Sequence, residues 1–160
     1  MLVYIKENNL SIDECDNLIG FYKNNSERAT LFRNVFPLDL NGQELERIKK
    51  YLEPTSIILN NSIVDWSQIV YWPKKSYQDL HKDFGSDQTI LTSITYLNED
   101  FIGGLTYFED GTQFAPVKGR TVFFDGQYFN HGVTPILQGE RYVIATWYKK
   151  NIEIKDIEVK

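Results

Sequence analysis

The sequence is poor in the residues that build covalent and metal cross-links. Cys15 is the one cysteine among 160 residues, so an intramolecular disulfide and a cysteine-cluster zinc site are both excluded. Histidine is nearly as scarce, with His81 and His131 as the two examples. Any site that needs two imidazoles therefore has to use both of these positions.

Basic charge and long apolar runs are also lacking. The 17 Lys and Arg residues are outnumbered by 22 Asp and Glu residues, for a net charge of −5, which argues against binding to a nucleic-acid phosphate backbone. No apolar run approaches the length of a membrane span, and the opening segment MLVYIKENNL lacks the apolar core of a signal peptide. We therefore expect a soluble, cytoplasmic protein with no nucleic-acid or membrane partner.

The first part of the chain has the pattern of two helices. Ser11 followed three residues later by Glu14 forms a capping box, which predicts that a helix begins there. Asn41 can cap a second helix, which Pro54 closes. The segment between them, around residues 26–40, is compatible with a loop or an edge strand. We expect these helices to support a single domain over residues 1–160.

From residue 68 the chain changes to short runs of β-branched and aromatic residues separated by Gly, Pro, Asn and Asp. These runs are QIVYW, TILTSITYL, GLTYFE, RTVFFD and RYVIATWYK. They predict a mostly β fold with flanking α: a double-stranded β-helix (jelly roll, cupin-like) over 68–149, with a helical N-terminal support over 1–67 packed outside it. The tail, 150–160, is either a further edge strand or frayed.

His81 and Asp83 are two residues apart in the segment YQDLHKDFGSD. Side chains at i and i+2 of an extended chain project to the same side, so the two can meet one ion. Two imidazoles and one carboxylate on one face of a metal are the ligands of non-haem iron(II) oxygenase sites, and His131 is the one further histidine. A surface pair at a strand end, and a turn or core histidine at 131, are the alternative interpretations.

Arg141 is unusual because it lies on an apolar strand face. In a strand it shares one face with Val143, Ala145 and Trp147, and a buried guanidinium is costly without a partner. Its planar fork suits a carboxylate, which could belong to a ligand. Alternatively, the guanidinium reaches solvent or pairs with an acidic residue of the protein. Trp147 is expected to line the pocket.

Taken together, these segments resemble the iron(II)- and 2-oxoglutarate-dependent dioxygenases, in their prolyl 4-hydroxylase-like branch. The resemblance covers roughly residues 68–149 and combines His-x-Asp, a histidine about fifty residues later and a basic residue ten positions beyond it. The stretches that carry it are VYWPKKSYQDLHKDF, SITYLNEDFIGGLTYFEDG and APVKGRTVFFDGQYFNHGVTPILQGERYVIATWYK.

The resemblance implies a role for each of these residues. His81, Asp83 and His131 would be the iron ligands, and Arg141 would hold the distal carboxylate of 2-oxoglutarate. Tyr96 resembles the tyrosine that supports this cosubstrate. Tyr71, ten residues before His81, resembles the tyrosine at the edge of the same pocket.

The implied reaction is hydroxylation of an unactivated C–H bond with Fe(II), 2-oxoglutarate and dioxygen, and with ascorbate as a further candidate cofactor. The branch favours a prolyl residue of a peptide or protein as substrate. A free amino acid or another small molecule is the alternative. A non-catalytic, metal-binding cupin-like module is the rival from another class.

Overall fold

The computed structural model describes residues 3–54 and 61–151. Helix α1 spans Ile12–Asn24, a 3-10 turn spans Ser26–Arg28, and helix α2 spans Gly42–Leu52. Ser11 caps α1 as predicted, since its hydroxyl accepts a hydrogen bond from the Glu14 amide at 3.1 Å, while the Glu14 carboxylate pairs with Arg47 at 2.9 Å. No helix of these two ranges is long and apolar enough to cross a membrane.

Most of the described chain is β-structure. The strands are β1 Val3–Lys6, β2 Phe36–Asp39, β3 Ser62–Trp72, β4 Gln78–His81, β5 Thr89–Tyr96, β6 Ile102–Gly103, β7 Thr106–Phe108, β8 Gln113–Phe114, β9 Thr121–Phe124, β10 His131–Val133, β11 Ile136–Gln138 and β12 Arg141–Lys150. Strands β1-β9-β5-β12-β3-β2 form a six-stranded sheet, β4-β10-β7-β8 a four-stranded sheet and β11-β6 a two-stranded one. The strand pairs are antiparallel.

The six-stranded sheet is covered on both faces. Its outer face packs against the helices, where Cys15 and Leu18 of α1 and Ile48 of α2 join one hydrophobic cluster with Ile144 of β12. Its inner face packs against the smaller sheets in a second cluster. The prediction of a mostly β jelly roll with helices outside is therefore confirmed.

The N-terminal part of the chain is not only helical. Strand β1 lies at one edge of the six-stranded sheet against β9, and β2 lies at the other edge against β3. The boundary at residue 67 was therefore wrong as a division between helices and strands, because β3 already begins at Ser62. Edge strands of four residues carry too short a pattern to be recognised. Most of the predicted tail, residues 152–160, lies outside the described residues.

Candidate metal centre and ligand cavity

Strand pairing brings the two histidines together. His81 ends β4, His131 begins β10, and the two are directly opposite each other in the antiparallel register. Their ring centroids are 4.4 Å apart. Cross-strand neighbours share one face of a sheet, so residues fifty positions apart in sequence become adjacent side chains.

Asp83 completes a compact group with these histidines. Its Oδ1 lies 3.3 Å from His81 Nε2 and 3.2 Å from His131 Nε2. Within the described residues, this is the group whose side-chain atoms could hold a metal ion, with all ligand atoms within 4.8 Å of one another. Burial raises the pKa of Asp83, but the imidazoles and the Thr92 hydroxyl outweigh it and hold the pKa of this carboxyl well below its usual range.

The other ring nitrogen of each histidine faces a backbone carbonyl. His81 Nδ1 lies 2.8 Å from the oxygen of Asp79, and His131 Nδ1 lies 3.0 Å from the oxygen of Phe129. A carbonyl only accepts, so the Nδ1 atoms are the donors in these contacts, and Nε2 is the atom of each ring that could bind a metal ion beside Asp83 Oδ1. A metal ion between the two Nε2 atoms and Asp83 Oδ1 would replace the direct contacts that join them. The donor set fits Fe(II), which imidazole and carboxylate ligands suit.

The orientation of the Asp83 carboxylate is set by groups outside the histidine pair. Its Oδ2 accepts hydrogen bonds from Thr92 Oγ1 at 3.0 Å and from the Trp147 indole Nε1 at 3.2 Å. Trp147 thus contacts the carboxylate directly, whereas the sequence indicated that it only lines the pocket. The carbonyl oxygen of Gly126 accepts a hydrogen bond of 2.8 Å from the Asp83 amide. A side chain at position 126 would not fit, because its Cβ would collide with Asp83 Oδ2 and lie 2.6 Å from Thr92 Oγ1.

The metal-binding group opens onto a cavity of about 110 Å³ between the two larger sheets. The predicted inner face of β12 lines it, namely Arg141, Val143, Ala145 and Trp147. Asp83 is the one acidic residue in its lining. The remaining walls are largely apolar, so the cavity is a low-dielectric environment in which a charge needs a direct partner.

Arg141 is fully buried in this cavity wall, with no exposed surface. Its Nη2 donates to Thr106 Oγ1 at 3.2 Å, while its Nε and Nη1 have no hydrogen-bond partner. Its guanidinium carbon lies 4.6 Å from the ring of Trp72. Burial lowers the pKa of Arg141. Residues 3–54 and 61–151 supply no carboxylate within ion-pair distance, so neither the solvent-exposed nor the internally paired alternative holds.

The two predicted tyrosines have different positions. Tyr96 is fully buried beside Arg141, with its ring 5.6 Å from the guanidinium, and its hydroxyl shares a hydrogen bond of 2.9 Å with Thr106 Oγ1. It contacts the arginine and the threonine that the arginine binds.

Tyr71 does not reach the cavity, so the expectation for this residue is corrected. Its ring packs on the helix side of the six-stranded sheet, 5.1 Å from the ring of Tyr142 and 6.0 Å from that of Tyr22. Adjacent residues of a strand point to opposite faces, so Val70 and Trp72 line the cavity instead.

Several site residues were not recognised in the sequence, namely Trp72, Thr92, Thr106 and Gly126. Trp72 shares one face of β3 with Gln68 and Val70, but alternation alone does not show that this face lines the cavity. The hydroxyls of Thr92 and Thr106 resemble those of any strand threonine, and nothing local marks Gly126.

Comparison with known proteins agrees with this geometry. The family model of the 2OG-Fe(II) oxygenase superfamily matches residues 67–149, which is more than half of the chain. Prolyl 4-hydroxylase subunit alpha-1 of Bos taurus is 31% identical over 83 residues, which are 46% of this chain and 16% of that protein. Prolyl 3-hydroxylase 1 of Gallus gallus is 42% identical over 64 residues, which are 36% of this chain and 9% of that protein. The chain thus spans a small part of each curated relative.

Solved structures share the fold over nearly the whole chain. The viral collagen prolyl hydroxylase vCPH from Paramecium Bursaria Chlorella virus-1, in its 2OG complex, has a TM-score of 0.74 at 22% identity, covering 96% of this chain and 97% of that one. A prolyl hydroxylase from Trichoplax adhaerens, in complex with a hypoxia inducible factor peptide fragment, has a TM-score of 0.75 at 17% identity, covering 99% and 86%. These likenesses concern the fold, and the family match confirms the resemblance found in the sequence: the chain belongs to the 2OG-Fe(II) oxygenase superfamily.

Proposed function

We propose that this chain is an Fe(II)- and 2-oxoglutarate-dependent dioxygenase that hydroxylates an unactivated C–H bond of a prolyl residue in a peptide or protein. One observation carries the proposal. A His–Asp–His group and a buried guanidinium with two unpaired N–H groups line the same small cavity. A module that binds a metal only for structure does not need a buried guanidinium with two unpaired N–H groups.

In this proposal His81 Nε2, Asp83 Oδ1 and His131 Nε2 hold the iron, and Arg141 binds the distal carboxylate of 2-oxoglutarate. When bound, Fe(II), 2-oxoglutarate and dioxygen supply the oxidising power for hydroxylation, and the cosubstrate ends as succinate and carbon dioxide. Because Oδ2 of Asp83 is occupied by Thr92 and Trp147, Oδ1 is the oxygen left for the metal.

The chain's own contribution is to position groups and exclude water. The carbonyls of Asp79 and Phe129 hold the imidazole rings and leave Nε2 free to bind. Val143 and Ala145 keep the wall between the metal ligands and Arg141 apolar, which strengthens the attraction between a guanidinium and a carboxylate. Tyr96 and Thr106 hold the guanidinium in place from the protein side.

Aromatic side chains near the cavity support a prolyl substrate. Phe32 lines the cavity and is 54% exposed, and Phe84, next to Asp83, is 90% exposed. Proline-rich segments characteristically dock on exposed aromatic faces. Both curated relatives are named as prolyl hydroxylases, and the Trichoplax adhaerens structure contains a peptide.

The proposal is tested by loading the protein with Fe(II) in the absence of oxygen and adding 2-oxoglutarate. We expect the visible absorption band that iron(II) and a bound 2-oxo acid give together, lost in His81→Ala and weakened in Arg141→Met. Arg120→Met is a matched control, because Arg120 is paired with Glu7 at 2.6 Å outside the cavity lining. Its band should equal that of the unmodified protein.

The substrate is then tested by succinate release, with ascorbate present, for proline-containing peptides against free amino acids. Stimulation by peptides alone supports the prolyl proposal. Stimulation by a free amino acid alone would replace the substrate but keep the reaction. Iron binding without the visible band would contradict the cosubstrate assignment and favour a metal-binding module.

A further inference from the structure

Unpaired buried hydrogen-bond donors are concentrated in the cavity. Among the described residues, three buried side-chain nitrogens have no hydrogen-bond partner: Arg141 Nε, Arg141 Nη1 and Trp72 Nε1. Both residues line the cavity. The other buried atoms without a hydrogen bond are oxygens of Asn9, Glu14 and Asn34, none of which lines the cavity, and that of Glu14 is ion-paired with Arg47 at 2.9 Å. Buried donors without acceptors are rare in folded proteins, so three at one cavity indicate an acceptor-rich ligand.

Trp72 is held beside Arg141 by strand pairing. It ends β3 directly opposite Arg141 in β12, it is 6% exposed, and the guanidinium lies 4.6 Å above its ring. An indole can only donate, so burying Trp72 Nε1 without an acceptor is unfavourable. A cation over the ring face adds attraction but leaves the N–H at the ring edge free.

The two other tryptophans show what is unusual about Trp72. Trp66 Nε1 donates to Asp39 Oδ1 at 3.1 Å, and Trp147 Nε1 donates to Asp83 Oδ2 at 3.2 Å. Each indole of the described chain thus has a carboxylate acceptor except that of Trp72. A ligand carboxylate in the cavity would give Trp72 the same kind of acceptor.

We infer that Trp72 Nε1 donates a hydrogen bond to the carboxylate that Arg141 binds, the distal carboxylate of 2-oxoglutarate, an assignment that rests on the proposed function. A carboxylate offers two oxygens with about four acceptor positions, enough for Arg141 Nε, Arg141 Nη1 and Trp72 Nε1 together. Trp72 thereby takes the position that the sequence assigned to Tyr71. It is a binding residue that selects 2-oxo acids with a second carboxylate, because any other leaves buried donors unpaired.

The inference is tested first on the unmodified sequence. Protein labelled with ¹⁵N is loaded with Zn(II) as a redox-inert substitute for iron, and its indole N–H signals are recorded by NMR. The Trp72 signal should shift on addition of 2-oxoglutarate and stay unmoved with 2-oxopentanoate, which has a methyl in place of the distal carboxylate. Trp66→Phe and Trp147→Phe identify the other two signals, so the assignment does not depend on a Trp72 variant.

Calorimetry on the same Zn(II)-loaded protein provides a second measurement. Trp72→Phe keeps an aromatic ring under the guanidinium and removes the donor, so its affinity for 2-oxoglutarate should fall about tenfold or more, as expected for a hydrogen bond to a charged group. Its affinity for 2-oxopentanoate should be unchanged. Trp66→Phe is the matched control, and it should bind both compounds as the unmodified protein does.

The outcomes separate this inference from the function on which it rests. An unmoved Trp72 signal, or equal 2-oxoglutarate affinities in Trp72→Phe and the unmodified protein, would overturn the role of Trp72 while the proposed function stands. If the unmodified protein binds 2-oxoglutarate no better than 2-oxopentanoate, or if Arg141→Met has no effect, both fail together.

Discussion

Replacing Arg141 by methionine should stabilise the ligand-free protein and at the same time weaken its affinity for 2-oxoglutarate. The guanidinium is fully buried and two of its three nitrogens have no partner. Methionine keeps a flexible apolar chain of similar length in the same wall and removes the charge. The two effects have opposite signs because the residue serves a ligand at the expense of the folded state.

The size of the stability gain follows from the groups that are lost. Each unsatisfied buried polar group costs about 1–3 kcal/mol, so removing Nε and Nη1 together gains about 2–6 kcal/mol. Losing the attraction between the guanidinium and the rings of Trp72 and Tyr96, together with the Nη2 hydrogen bond to Thr106, offsets about 2–3 kcal/mol of this. A net gain of about 2 kcal/mol corresponds to a rise in Tm of about 4–8 °C for a chain of this size.

The loss of affinity is larger. Removing one partner of a buried, hydrogen-bonded charge pair costs about 2–5 kcal/mol. At 1.4 kcal/mol for each tenfold change, the Kd for 2-oxoglutarate should rise about 30-fold to 3,000-fold.

Thermal unfolding of the ligand-free protein and calorimetric titration of the metal-loaded protein measure the two effects. Arg120→Met is the matched control. Arg120 donates to Glu7 at 2.6 Å and 2.8 Å and to the Ala115 carbonyl at 3.0 Å, so this variant should lose stability and keep its affinity.

A lower Tm for Arg141→Met, combined with unchanged affinity for 2-oxoglutarate, would refute the reasoning. It would mean that the guanidinium stabilises the fold and has no ligand to bind.

Gly126→Ala should lower metal affinity about 10-fold to 100-fold, because the added methyl group displaces the Asp83 carboxylate. Gly20→Ala is its control, because nothing lies within 4 Å of the new Cβ. Calorimetry should show unchanged metal binding, and urea unfolding should show a free energy of unfolding that is higher by about 0.5–1 kcal/mol. Trp147→Phe should also weaken metal binding about 10-fold to 100-fold, by removing the 3.2 Å hydrogen bond to Asp83; unaltered affinity would contradict the orienting role. Burial raises the pKa of Cys15 to about 11. The folded state therefore keeps the thiol proton above the ordinary thiol pKa of about 8.5, and the free energy of unfolding falls with rising pH by up to about 1.4 kcal/mol per pH unit. Urea unfolding at several pH values should show a smaller fall for Cys15→Ala. If the free energy of unfolding falls equally with pH in both proteins, Cys15 is not its cause.

The sequence was most informative where a pattern is local. The capping box at Ser11 and Glu14 predicted the start of α1, and strand alternation predicted that Arg141, Val143 and Ala145 share one face of β12. These inferences succeed because a hydrogen bond within one helical turn, or alternation along one strand, involves a few neighbouring residues and is little affected by the rest of the fold.

The short edge strands were missed for the opposite reason. Val3–Lys6 leaves Tyr4 and Ile5 partly exposed, so its four residues carry no clear alternation. What makes the segment a strand is its antiparallel pairing with Thr121–Phe124, more than a hundred residues later. The residue preferences of a short stretch of sequence carry no information about this distant partner strand.

By itself, the sequence determined the chemistry of the site: two histidines, one carboxylate two residues from the first, and an arginine on an apolar strand face. Tertiary structure decided how these groups are arranged. The register between β3 and β12 places Trp72 at the cavity and turns Tyr71 towards the helices, because alternation fixes two opposite faces but not which of them points inward. That Arg141 has no protein partner is likewise a property of every element packed around it, and only the assembled fold contains all of them.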